Sequence, residues 1–377
     1  MMKTDEHSAA TKSVNHDLLR LSLIPGIGPK TVSSLFERFS DADTILSASP
    51  DQLQTVSGVG PKLAKEVALA RRTINVDAVI QLCEQNQIDI TDSFSNEYPA
   101  PLKEIHNPPI TLYSQGELQE SDAFSIAVVG SRHATGYGKR VAERLAQGLA
   151  NAGYTIVSGL ARGIDAAAHR GALNAGGRTI AVLGSGVLEI YPPEHVSLAD
   201  EIRQNGAVIS ETAPHHPPKS GAFPQRNRII SGLCLGTLVV EAADRSGALI
   251  TARLAMEQGR EVFAVPGSIE SQMSRGCHQL LRDGATLVGS IDDILDQLGP
   301  LANPVRINET QKMQHPAELR LNEQEQIILA AIDQCATELD EIVSKTQLPI
   351  ARVLATISVL EIKRLIRRVS GNSVAKI

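Results

Sequence analysis

The chain of 377 residues is longer than one hydrophobic core usually organises, so more than one domain is expected. Its make-up, 42% hydrophobic and 21% charged with 29 Gly and 19 Pro, is that of a folded globular protein and excludes the disordered and fibrous classes. A formal net charge of −6 excludes coating of nucleic acid by global charge, so any such binding must come from local patches. The cysteines Cys83, Cys234, Cys277 and Cys335 form no C-x-x-C pair. They suggest neither a metal site nor a disulfide framework, and a reducing cytoplasm fits them best. No apolar run approaches the roughly 18 residues of a membrane span, and the polar N-terminus carries no export signal.

From Leu18 to about Ile90 short helical stretches are punctuated by Gly and Pro, with an internal echo: Pro25-Gly26-Ile27-Gly28-Pro29-Lys30 against Ser57-Gly58-Val59-Gly60-Pro61-Lys62. Each copy precedes a helical pattern, so both Gly-x-Gly turns sit at helix N-termini. They resemble tandem helix-hairpin-helix motifs, in which unsatisfied amides and the helix dipole hold a DNA phosphate that glycine lets approach closely. Gly26, Gly28, Lys30, Gly58, Gly60 and Lys62 are therefore secondary candidates for DNA contact. The simpler reading is that the glycines only make tight turns between packed helices.

Residues 91–122, with Pro99, Pro101, Pro108 and Pro109, read as a connecting segment holding one short strand at Ile110–Tyr113. Beyond it, apolar runs at Ile126–Gly130, Thr155–Gly159, Thr179–Gly184, Ala207–Ser210, Thr237–Glu241 and Glu261–Val265 alternate with helical patterns. Strand–helix alternation predicts a parallel, doubly wound sheet over 123–298. Residues 299–316 read as a linker. The remainder, 317–377, reads as three helices and a terminal hairpin, a winged-helix pattern with basic residues Lys363, Arg364, Arg367, Arg368 and Lys376 at its end.

The chemistry concentrates at predicted strand ends. Gly130-Ser131-Arg132 follows the first strand, a usual phosphate site of such sheets, but the spacing is not G-x-G-x-x-G and weakens a dinucleotide reading. Arg132 offers a planar fork for phosphate. After the second strand, Ser158, Gly159, Ala161, Arg162 and Gly163 form another amide-rich turn, with Asp165 placed as an N-cap and His169 one turn on. The stretch Lys219 to Arg228 sets Lys219, Arg226 and Arg228, with Asn227, around Phe223, whose ring offers a base a stacking face. Tyr137 and Tyr191 are the next rings available. Ser246 or Asp244 reads as a helix cap. The adjacent His215 and His216 lack metal-ligand spacing, so no metal, cofactor or catalytic residue is assigned.

Taken in order, Val129-Gly130-Ser131-Arg132, Ser158 to Asp165, Thr179 to Gly186, Tyr191-Pro192, Ser210-Glu211, Phe223 to Gly232, Val240-Glu241-Ala242, Ser246 to Ala252 and Gly259 to Gly267 resemble the DprA/Smf family. The resemblance implies an extended Rossmann-like α/β fold flanked by an N-terminal helix-hairpin-helix domain (1–90) and a C-terminal winged-helix domain (317–377). It further implies sequence-independent single-stranded DNA binding, a homodimer through the Rossmann-like domain, and loading of RecA recombinase during DNA uptake. By the same carry-over, Arg132 and its turn, the Ser158–Asp165 turn, Phe223 and its basic neighbours form the DNA pocket. Two other readings remain. One is a nucleoside-monophosphate-cleaving enzyme of the lysine-decarboxylase-like group, although Ser231 to Thr237 lacks that group's paired glycines. The other is a winged-helix regulator with a ligand-sensing Rossmann domain.

Overall fold

The computed structural model describes residues 14–299, and within the C-terminal part residues 327–329, 331–332, 337–346, 348–362, 366–370 and 373–376. The chain divides into two compact units, which meet in sequence between Asp293 and Ile294.

The first unit opens with six helices: α1 (His16–Ser22), α2 (Pro29–Arg38), α3 (Ala42–Ser47), α4 (Pro50–Gln54), α5 (Pro61–Thr73) and α6 (Val76–Gln85). Local chemistry sets their starts. Asn15 and Asp41 accept backbone N–H groups at the starts of α1 and α3, and Ser49 and Gln52 form a capping box on α4. The two echo turns take the same shape, with Gly26 at φ +84° and Gly58 at φ +85°, each followed by a proline that starts α2 or α5. Leu21, Leu35, Ile45, Leu53 and Val67 form the core beneath them.

Residues 89–287 build one nine-stranded sheet. Its strands are β1 (Asp89–Asp92), β2 (Thr111–Gly116), β3 (Ser125–Val129), β4 (Thr155–Ser158), β5 (Thr179–Val182), β6 (Gly206–Ser210), β7 (Gly236–Val239), β8 (Glu261–Ala264) and β9 (Thr286–Leu287), in the spatial order β1-β2-β6-β5-β4-β3-β7-β8-β9. The seven strands from β6 to β9 in that order are parallel, as strand–helix alternation predicts. The sheet as a whole is mixed, because β2 pairs antiparallel with both β1 and β6. Neither β1 nor β9 is long enough to show a period in the sequence, and prolines break up the neighbourhood of β2.

Helices α8 (Gly136–Asn151), α9 (Ile164–Asn174), α10 (Val196–Gln204), α11 (Ala222–Leu233), α12 (Gly247–Glu257) and α13 (Arg275–Arg282) connect the parallel strands, and a short α7 (Ala100–Lys103) lies between β1 and β2. Ala166, Leu198 and Ile202 share one core with Leu19, Val76 and Cys83 of the N-terminal helices. Ile229, Leu233, Ala252 and Cys277 share another with Leu102 of α7. The strands between are buried on both faces, hence their continuous apolar sequences. Cys83, Cys234 and Cys277 are buried free thiols, each pushed up to about 12 by burial.

In the second unit, strands Thr337–Glu338, Ile366–Ser370 and Ser373–Lys376 form an antiparallel sheet beside helices Leu339–Thr346 and Ile350–Ile362. Ile342, Val353, Ile357, Leu360, Ile366 and Val374 close its core, a winged-helix arrangement. Lys363, Arg364 and nearly all of the 299–316 linker lie outside the described residues, as do the side chains of Arg367, Arg368 and Lys376. Among the described residues no helix is long and apolar enough to cross a membrane.

Candidate nucleic-acid interface

The strand order reverses between β3 and β7, since β4 to β6 lie to one side of β3 and β7 to β9 to the other. Open α/β sheets bind ligands in the crevice outside the carboxyl ends at such a point. Three turns are fastened together there. Ser131 N–H donates to the Glu241 carbonyl oxygen (2.6 Å), and Ile164 N–H donates to the Ser131 carbonyl oxygen (3.3 Å). A side chain on Gly163, at φ +79°, would run into that Ser131 carbonyl. The buried Glu241 carboxylate accepts from Thr135 N–H (2.8 Å) and Thr135 Oγ1 (2.6 Å), while Thr135 Oγ1 accepts from Gly138 N–H (3.1 Å) to cap α8. The start of α8 is thereby anchored to the end of β7.

The β4 turn is shaped from below. Asp165 reads as an N-cap in sequence, but the cap position of α9 is Gly163. Asp165 lies inside the helix and its Oδ2 accepts from Gly159 N–H (3.2 Å) and Ala161 N–H (3.3 Å), drawing the turn inward. Arg226 lies under the same turn, so close to Gly159 that any side chain there would collide with its guanidinium, and it donates to the Val182 carbonyl. Burial pushes the Asp165 carboxyl up from its usual range, with Arg226 opposing, and pushes Arg226 down to about 10. His169 is fully buried with Nδ1 2.7 Å from Thr179 Oγ1. Because that hydroxyl donates to the Ile156 carbonyl, His169 Nδ1 carries the proton. Burial pushes His169 down to about 3, so it is neutral.

Above these turns lies a cavity of about 760 Å³. Arg132 is exposed on its wall with its guanidinium carbon 5.3 Å from the centre of the Phe223 ring. Phe223 in turn packs against Tyr191, ring centres 5.7 Å apart and tilted by 48°. Gly184 makes room for it, since a Cβ there would stand 3.0 Å from the ring. The start of α12 also lines it, where Ser246 caps Ala248 N–H (3.3 Å) and Asn227 reaches the Gly247 carbonyl (3.4 Å). Arg245 stands exposed beside them, and neither it nor Arg132 has a carboxylate partner among the described residues. The cavity thus combines two cations without a carboxylate partner among the described residues, an aromatic ring, and a helix N-terminus that favours an anion.

The profile of the family described as DNA recombination-mediator protein A matches residues 89–299, more than half of the chain. The chain belongs to the DprA/Smf family. The DprA winged-helix profile matches residues 312–372, and a tandem helix-hairpin-helix profile matches 18–73. The Smf protein of Synechocystis is 34% identical over 94% of this chain and 96% of its own. DprA of Bacillus subtilis is 39% identical over 70% of this chain and 90% of its own. The X-ray structure of DprA from Streptococcus pneumoniae superposes with a TM-score of 0.65 at 37% identity, covering 76% of this chain and 98% of that one. A Helicobacter pylori DprA structure, described for its single-stranded DNA binding mode, gives a TM-score of 0.51 at 30% identity over 56% and 95%.

Within this DprA/Smf fold the predicted site residues part company. Gly130, Ser131, Arg132, Ala161, Phe223, Arg226 and Asn227 line the cavity, but Arg226 is only 4% exposed. Ser158 is buried and donates to the Val128 carbonyl (2.6 Å), while Gly159 and Gly163 serve turn packing. Arg162 and Arg228 do not line the cavity, because their guanidinium groups are held by Glu194 (2.5 Å) and bidentately by Glu211 (3.1 and 2.5 Å). Lys219 is exposed just outside, between the lining residues Pro218 and Ser220. The stretch read as basic groups around one ring is a helix from Ala222 onward, which turns Arg226 inward. Arg245 escaped the sequence reading; its signal is the cation just before the Ser246 cap. The Gly26, Gly28 and Gly60 turns are sterically open, and Lys30 and Lys62 are exposed. Ser231 to Thr237 runs into the start of β7, at the opposite end of the strand from the cavity. His215 contacts Glu189 (3.2 Å), and no metal-binding group occurs among the described residues.

Proposed function

We propose that this chain binds single-stranded DNA without sequence preference in the switch-point cavity, and that as a homodimer in the cytoplasm it promotes loading of RecA recombinase during DNA uptake and recombination. The observation that carries the first part is the pairing of exposed Arg132 with the Phe223 ring above fastened, amide-bearing turns. A phosphate suits the guanidinium and the helix end, a base suits the ring, and nothing there forms an array that would read base edges. The Helicobacter pylori relative, described for single-stranded DNA binding, supports the same reading. RecA loading and the dimer rest on family membership. In this reading residues 123–298 of the sheet domain carry the DNA site, and the modules at 1–90 and 317–377 add secondary contacts.

We assign no enzymatic role. Both oxygens of Glu241 are taken by Thr135, and His169 is buried and neutral, which leaves neither poised as an acid or base toward a ligand in the cavity. The test is a gel-shift series of single-stranded against duplex DNA over several salt concentrations, with nucleoside monophosphate turnover assayed in parallel. Tighter single-strand binding with no base release is the expected result. Duplex preference, or base release lost on Glu241→Gln, contradicts the proposal.

A further inference from the structure

One stretch of the chain is rich in cations that have no acid partner. Between Gly130 and Asn174 stand Arg132, Lys139, Arg140, Arg144, Arg162 and Arg170 against only Glu143 and Asp165, in a chain whose 42 acids outnumber its 36 Lys and Arg. Asp165 is buried, Glu143 is engaged by Asn174 Nδ2 (2.9 Å), and Arg162 is held by Glu194. The remaining five cations are exposed, and none has a carboxylate at ion-pair distance among the described residues.

Three of them, Lys139, Arg140 and Arg144, lie on the exposed side of α8. Arg140 turns its guanidinium back over the first turn of the helix, with Nη1 3.4 Å from where a Gly136 Cβ would stand. That first turn is the one Glu241 anchors to the end of β7, and only His133, Ala134 and Thr135 separate it from Arg132 in the chain. Tyr137, 52% exposed, stands on it and is the one large hydrophobic side chain exposed on α8. Arg170 precedes Gly171, whose backbone lies too close to Glu143 to admit a side chain, so α9 continues the same surface.

We propose that a DNA strand held in the cavity leaves it past Arg132 and continues over α8, with its phosphates on Lys139, Arg140 and Arg144 and a base beside Tyr137. This rests on the cavity reading above. Unpaired exposed cations lose no existing partner on meeting a polyanion, and the counterions released from the strand favour contact. A protein partner fits less well, since a single ring amid cations gives it no apolar anchor to bury.

The test uses the full chain and oligothymidines of about six and about twenty nucleotides, lengths within and beyond a single short site. The triple variant Lys139→Gln/Arg140→Gln/Arg144→Gln is expected to bind the longer strand about tenfold more weakly. Its log–log salt slope should fall by about 2, at roughly 0.7 per phosphate. Binding of the shorter strand stays as in the parent. The charge-preserving Lys139→Arg/Arg140→Lys/Arg144→Lys variant should retain long-strand affinity, which separates charge from fold. Unchanged long-strand binding by the triple Gln variant overturns the track and leaves the cavity reading intact, as does an equal loss for both lengths. If the parent binds neither oligonucleotide, it is the cavity reading that fails.

Discussion

Arg132 owes its importance to what surrounds it. Its turn is fixed by backbone bonds from Ser131 to Glu241 and Ile164, so the backbone that carries the guanidinium is already ordered when a phosphate arrives. Arg132→Ala is expected to weaken single-strand binding by about 1.5–3 kcal/mol, ten- to a hundredfold, in fluorescence anisotropy titrations. Arg132→Lys should recover part of this loss, since charge returns but the planar face over Phe223 does not. His169 gives a prediction of a different kind. Its folded-state pKa of about 3 lies below the ordinary 6.5, so above pH 6.5 both the folded and unfolded chain hold it neutral. As pH falls through that value, the unfolded chain takes up a proton that the fold refuses. Stability should decline by about 1.4 kcal/mol per pH unit on this account until pH nears 3. Denaturant unfolding of the parent and His169→Gln across this window should show the variant's stability falling less steeply. Parallel curves would remove His169 from the account.

At the scale of elements, the β3, β4 and β7 turns act as one piece because each occupies space or bonds the others need. Gly163→Ala must strain a backbone at φ +79° and push against the Ser131 carbonyl. A cost of about 1–3 kcal/mol in stability is expected, with weaker DNA binding at temperatures where the variant is still folded. Normal affinity in a destabilised Gly163→Ala would mean that the turn packing supports the fold but not the site. These turns were also the most legible part of the sequence. Strands buried on both faces advertise themselves as apolar runs, and glycines at their carboxyl ends mark where the backbone must crowd. Legibility failed where side-chain direction decides. Lys219 to Arg228 reads as a cluster of cations around a ring, but folding as α11 points Arg226 into the protein, and Glu211 takes Arg228. The Arg162–Glu194 and Arg228–Glu211 ion pairs join residues whose proximity only the fold creates, and only the fold brings Arg245 and Arg132 to one cavity. The edge strands β1 and β9 escaped for a simpler reason, being too short to display a period.

For the whole molecule, the cavity belongs entirely to the first unit. A chain ending at Gly299 should therefore keep the parent's affinity for short single strands within about threefold, the remainder being tethering by the second unit. A much larger loss on truncation, with the shortened chain still folded, would move the principal site into the winged-helix module. The three described thiols are distributed through the cores of the first unit, Cys83 in one and Cys234 and Cys277 in the other, all protonated by burial at neutral pH. Thiol-directed reagents should therefore pass them by while the chain is folded. A cysteine introduced at Ser220, exposed on the cavity rim, would react against a silent background from these three, so a dye placed there can report the arrival of a strand in real time.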